Sequence, residues 1–242
     1  MSVLTGLIYL TLAAVTVGEL IRHRRTRGFS HFGLAFALML TTCGLHHLLH
    51  RHHAHGPLQA AVSLGVPPAL LFVALRGEAL CGRRGDRLIA RTPLWLQALP
   101  VLMAAVAGAI AWDAISDAIT AGIHPAMLIP NAFLFINYSL VGLFTLRTQL
   151  ARRPAMGGWS LSGLALSAVF FTCGGAHLVS GLLAAPDPVA LVLDNLAVPA
   201  SFYFLWAVHR LHRASARDWN RRPLVGRPAP AGRRSPWAPE AV

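Results

Sequence analysis

Four side chains in this 242-residue chain have the types and spacing to work in pairs: Cys43 with His47, and Cys173 with His177. Each pair is spaced i,i+4, which on an α-helix puts thiol and imidazole on one face, with Cβ atoms about 5–6 Å apart. A metal ion fits between such groups. A soft thiolate with an imidazole suits Cu(I) or Zn(II) better than a hard ion such as Mg or Ca. Charge leaves the metal open, because one Cu(I) per thiolate is neutral and so is one Zn(II) shared by two thiolates and two histidines. A glycine follows each cysteine, Gly44 and Gly174, and a small residue there lets another backbone approach. Around these pairs, Asp194 and Asn195 are candidates to orient the His177 ring, and Tyr9, Tyr138 and Asn137 are candidate hydrogen-bonding neighbours. His46, His50, His52, His53 and His55 form a histidine-rich tract that is either a metal-collecting mouth or a solvated loop.

The elements that must position these groups are membrane helices. The chain is 55% hydrophobic and only 12% charged, and its apolar residues come in runs of about twenty, the length that crosses ~30 Å of hydrocarbon. Seven spans are expected, at 3–21, 32–50, 58–76, 94–112, 126–146, 160–183 and 188–208. A net charge of +12 raises the question of nucleic acid, but the basic residues cluster between apolar runs and in the tail, so topology accounts for them and no nucleic-acid partner is expected. Arginines at 22–27, 76–91, 147–153 and in the tail put those segments in the cytoplasm. Asp113, Asp117 and Asp187 fall in the opposite loops, which predicts an N-out, C-in multi-pass protein of the inner membrane. The first span has no basic residue before it and four arginines just after it, so it reads as a retained anchor. The chain has no lysine, which excludes a retinal Schiff base. With its abundance of Ala, Arg, Gly and Pro, it fits a high-GC bacterial gene.

The sequence also repeats. Shifted by 130 positions, GFSHFGLAFALMLTTCGLHHL (28–48) lies on GWSLSGLALSAVFFTCGGAHL (158–178), matching Ser30 with Ser160, Gly33 with Gly163, Thr42 with Thr172, Cys43 with Cys173, Gly44 with Gly174 and His47 with His177. LGVPPALLFVAL (64–75) similarly matches LAVPASFYFLWAV (196–208), pairing Pro67 with Pro199, and Tyr9 corresponds to Tyr138. The fold expected is therefore all-α: residues 1–78 as a first three-helix repeat, 79–122 as a cytoplasmic loop and connecting span 4, 123–210 as a second repeat of the same orientation, and 211–242 as a disordered Pro/Arg-rich tail on anionic lipid. Pro67 and Pro199 predict kinks. Cys81 is a lone loop thiol, and cysteines within spans argue against a disulfide framework.

The CGxxHL pattern in the second helix of a three-helix unit, after a first helix that ends in Glu and a basic turn, resembles the membrane sensor domain of ethylene receptors. It stands here as GELIRHRRTRGFSHFGLAFALMLTTCGLHHLL (18–49) and again as FFTCGGAHLVSGLL (170–183). The resemblance implies Cu(I) held by Cys43 and His47 and by Cys173 and His177, with a tandem duplication building within one chain what that family builds as a homodimer. Glu19 matches the family's Glu, while the second copy has Thr148 there, and neither copy has the family's Asp in the outer half of the first helix. No kinase module is present, so a signal would pass to a separate cytoplasmic effector. Beside this copper sensor or small-molecule-binding module stand a metal transporter fed by the outer histidines, and a redox protein holding haem between His47 and His177. Against an enzyme, no acid or base is repeated besides the ligands, and there is no HExxH motif. The oligomeric state is left open.

Overall fold

The computed structural model describes residues 2–27, 30–49, 56–80, 88–89 and 94–218. These form α1 (Ser2–Arg27), α2 (His31–Leu49), α3 (Pro57–Leu64), α4 (Val66–Leu80), β1 (Leu88–Ile89), α5 (Leu94–Gln97), α6 (Leu99–Ala121), α7 (Pro125–Met156), β2 (Trp159–Ser160), α8 (Leu161–Leu183) and α9 (Pro188–Asp218). The two short strands pair antiparallel, Leu88 with Ser160 and Ile89 with Trp159. Everything else described is helix or short connection. His50, His52, His53, His55, Cys81 and the tail beyond Asp218 lie outside the described residues, as does the side chain of Glu19.

Among the described residues, six helical segments are long and apolar enough to cross a bilayer: His31–Leu49, Pro57–Leu75, Leu99–Ala121, Pro125–Pro154, Leu161–Leu183 and Pro188–Arg213. The expected first span is helical, but its apolar stretch is only Val3–Gly18, about 24 Å at 1.5 Å per residue. The connecting helix is displaced from the expected 94–112. Pro100 sits in the first turn of α6, where its missing N–H costs nothing, and the Ala-rich sequence carries the helix on to Gly122 at φ 87°. Asp113 and Asp117 therefore belong to exposed faces of α6 rather than to a loop. Near Pro67 the chain breaks at Gly65, between α3 and α4, whereas Pro199 lies inside an uninterrupted α9.

α8 is the central helix, buried nearly all round, as an interior helix without a polar face must be. It packs on α7, on α6 and on α3 and α4, while α2 packs on α1 and α9, and α7 on α9. Residues Met127, Asn131, Leu134, Tyr138 and Val141, spaced four and three apart, form the buried stripe of α7. Ser30 and Ser160 start α2 and α8 alike, each hydroxyl accepting from the backbone N–H of the glycine three residues on, at 3.1 Å.

Small residues set the closest helix approaches. A Cβ on Gly6 would stand 2.9 Å from Gly44 O, and one on Gly174 would stand 3.3 Å from Phe135 O. On the far side of α8, a Cβ on Gly175 would meet Ala107 Cβ at 2.7 Å. Gly175→Ala therefore forces α6 off α8, since neither partner has a flexible side chain to yield. The expected cost is about 1–3 kcal/mol, the usual penalty of overpacking, read as a lower thermal midpoint of the detergent-purified protein; an unchanged midpoint would mean that the two helices are not in contact there.

Candidate metal centre

Cys43 on α2 and Cys173 and His177 on α8 point to one place in the core. All three are buried, and their ligand atoms lie within 4.8 Å of one another. The i,i+4 spacing in α8 lines up thiol and imidazole as expected, and α2, crossing the bundle, adds the second thiol. Both cysteines are free. Among the described residues this is the one such group of three. His47 does not join it. Its half-buried ring faces Tyr9, with ring centroids 5.9 Å apart, and His46, at 5.7 Å.

The His177 ring is held by a chain of hydrogen bonds that fixes its tautomer. Asn131 Nδ2 donates to the backbone carbonyl of Met127 at 2.9 Å and to Asp194 Oδ2 at 2.8 Å. Both partners accept, so the amide nitrogen must face them and Oδ1 must face the imidazole. His177 Nδ1 stands 2.7 Å from that oxygen and can only donate to it. The proton is then on Nδ1, and the lone pair of Nε2 is directed to the sulfurs. A ring oriented this way through its other nitrogen is the usual state of a metal-binding histidine. Asp194 is 1% exposed, and His46 Nδ1 lies 2.9 Å from its other oxygen.

Both tyrosines stand beside the sulfurs. Tyr138 Oη is 3.1 Å from Cys43 Sγ, and its ring centroid is 5.4 Å from that of His177. Tyr9 lies by Cys173, and the two line one cavity. A hydroxyl beside each sulfur stabilises thiolate charge in a region with no water to do so. A small apolar cavity opens next to the sulfurs, lined by Tyr9, Phe36, Met39, Phe72 and Phe170 together with Cys43 and Cys173. Farther along the bundle, Phe36 and Phe170 both pack on Phe204, with centroids 5.4 and 5.3 Å apart, and Phe32 joins them at 5.3 Å.

Of the remaining candidates, Asp194, Tyr9 and Tyr138 are at the centre, and His46 is buried beside it rather than in an outer loop. Asn195 is exposed and donates to Leu191 O of its own helix at 2.7 Å. Asn137 donates to Ser201 Oγ at 2.8 Å, which ties α7 to α9. Thr148 bonds His212 Nδ1 at 2.9 Å. Asn131 is the residue that sequence reasoning missed. Its signal was present: it precedes Tyr138 by seven residues, two helical turns on the same face.

Asn131→Ala removes the acceptor that fixes His177 and one donor to Asp194. Metal affinity is expected to fall about ten- to hundredfold, the usual effect of losing such a supporting partner, measured by competition with a chelator. Unchanged affinity would show that the ring is oriented by something else. No protein-family model, curated protein or solved structure matches this chain.

Proposed function

We propose that the chain is an integral membrane copper-binding sensor module of the inner membrane, in which Cys43, Cys173 and His177 hold one Cu(I) ion beside a small apolar cavity. The observation that carries this is the convergence of three buried donors, two sulfurs and one oriented imidazole nitrogen, within 4.8 Å. Thiolate and imidazole favour a soft or borderline ion. Three donors suit copper(I) better than zinc, whose structural sites take four, and His47, the obvious fourth, is turned to Tyr9. The resemblance to ethylene-receptor sensor domains favours the same metal.

The packing of α2 on α9, answered by that of α8 on α3 and α4, supports two three-helix units related by an axis along the membrane normal. Gly44 meeting Gly6 and Leu10, as Gly174 meets Phe135 and Ser139, supports the same pairing of units. With the arginine-rich segments in the cytoplasm, the N-terminus is outside and the C-terminus inside, and a sensor of this kind signals to a separate cytoplasmic effector. Binding is favoured over transport by the Phe32, Phe36, Phe170 and Phe204 cluster, which closes the bundle between the sulfurs and the cytoplasmic end. His46 and Tyr138, with ring centroids 5.8 and 5.4 Å from that of His177, occupy the space that a haem would need.

The test is the metal content of the purified protein after reconstitution with Cu(I) and, separately, with Zn(II). About one copper per chain is expected, with X-ray absorption showing sulfur and nitrogen neighbours, and zinc displaced by copper. Copper no higher than in a chelator-stripped sample would end this reading.

A further inference from the structure

The two halves of the bundle treat the outer side of the centre differently. On one half, His46, Asp194 and Asn131 make a buried polar path to His177: Asn131 bridges Asp194 and His177, His46 Nδ1 is 2.9 Å from Asp194, and the His46 and His177 ring centroids are 5.8 Å apart. By the repeat, the matching positions on the other half are Ala176, Val62 and Ser2. There Val62 and Ala176 join Leu58, Ala111, Ala114 and Val179 in a continuous apolar cluster, with α6 laid over α3 and α8. One side of the centre is thus sealed with hydrocarbon, and the other carries a carboxylate and an imidazole. A carboxylate in a membrane interior is costly unless it has a task or a partner.

We propose that His46 and Asp194 are the loading step for the Cys43–Cys173–His177 centre. His46, near the bundle end that carries connections 122–124 and 184–187, would hold an arriving copper(I) ion transiently and hand it to His177 by ligand exchange. This rests on the copper reading above. The step is imidazole to imidazole, with no change of oxidation state, and the carboxylate of Asp194 offsets the ion's single positive charge on the way. His46 is suited to this by position, lying three residues from Leu49 at the end of α2 and in ring contact with His177. The connecting helix gains a role: it covers the other half with apolar side chains, which offer an arriving ion no ligand.

A residue on a path lowers the barrier in both directions without altering the end states. Copper(I) supplied as its bicinchoninate complex to the full-length protein gives the loading rate from loss of the chelator's colour, and excess chelator gives the release rate. For His46→Gln, both rates are expected to fall about tenfold, the effect of about 1.4 kcal/mol on a barrier, while the equilibrium affinity and the final copper content match wild type. If His46→Gln loads and releases at wild-type rates, or if it changes the affinity instead of the rates, the loading step is overturned while the copper centre stands. A wild-type protein that takes up no copper fails the centre itself, and this inference with it.

Discussion

Cys43→Ser with Cys173→Ser is expected to reduce the copper of the reconstituted protein to the level of a chelator-stripped sample. The two sulfurs are two of the three donors, and a serine hydroxyl is a harder, weaker ligand that a soft ion does not favour. The single variants discriminate between the possible arrangements. Two separate Cys/His sites, as the i,i+4 pairs taken alone suggest, would lose about half of the metal in each single variant. One shared centre loses nearly all of its affinity in either, so the effects of the two substitutions are strongly non-additive. Each single loss should exceed the roughly ten- to hundredfold cost of removing a supporting partner. Metal content by mass spectrometry, with chelator competition for affinity, reads all three variants. Half-occupancy in the singles would replace the shared centre with two independent ones.

Asp194→Ala is expected to be the most destabilising single substitution at the centre. Its carboxylate is 1% exposed, accepts from Asn131 Nδ2 at 2.8 Å and faces His46 Nδ1 at 2.9 Å. Removing it takes from Asn131 and His46 the buried acceptor they share, and breaking a buried pair from one side costs about 3–5 kcal/mol. The Asn131 amide nitrogen is then held by Met127 O alone, so its oxygen is less firmly presented to His177 and copper affinity falls as well. Thermal unfolding of the detergent-purified apo protein separates the two effects, because it contains no metal contribution. An apo midpoint equal to that of wild type would show that Asp194 is not structurally engaged.

The chemistry of the centre was legible in the sequence to the extent that it was repeated. Cys43 and Cys173 stood out because the same CG dipeptide recurs 130 residues later, and the depth of Asp194 in its span pointed to His177. What periodicity along one helix cannot reveal is which face of a second helix arrives opposite. His47 and His177 hold equivalent positions, yet only His177 completes the group of three, because it alone has Asn131 and Asp194 behind it. His46, one position away, turns inward instead. Asn195 was weighed with Asp194 because the two are adjacent, but successive helical residues are about 100° apart and only one of them faces the bundle. The limits of the connecting helix were misjudged because hydropathy falls at Asp113 and Asp117 while helical propensity in an Ala-rich segment does not.

The donors and their supports are spread over the whole length of the chain. Cys43 comes from α2, Asn131 and Tyr138 from α7, Cys173 and His177 from α8, and Asp194 from α9. During synthesis, residues 1–80 enter the membrane with a single thiol on offer, and the centre is complete only when the last helix is in place. With copper held as proposed, tight retention would require the fully assembled molecule and would serve as an assay of correct insertion.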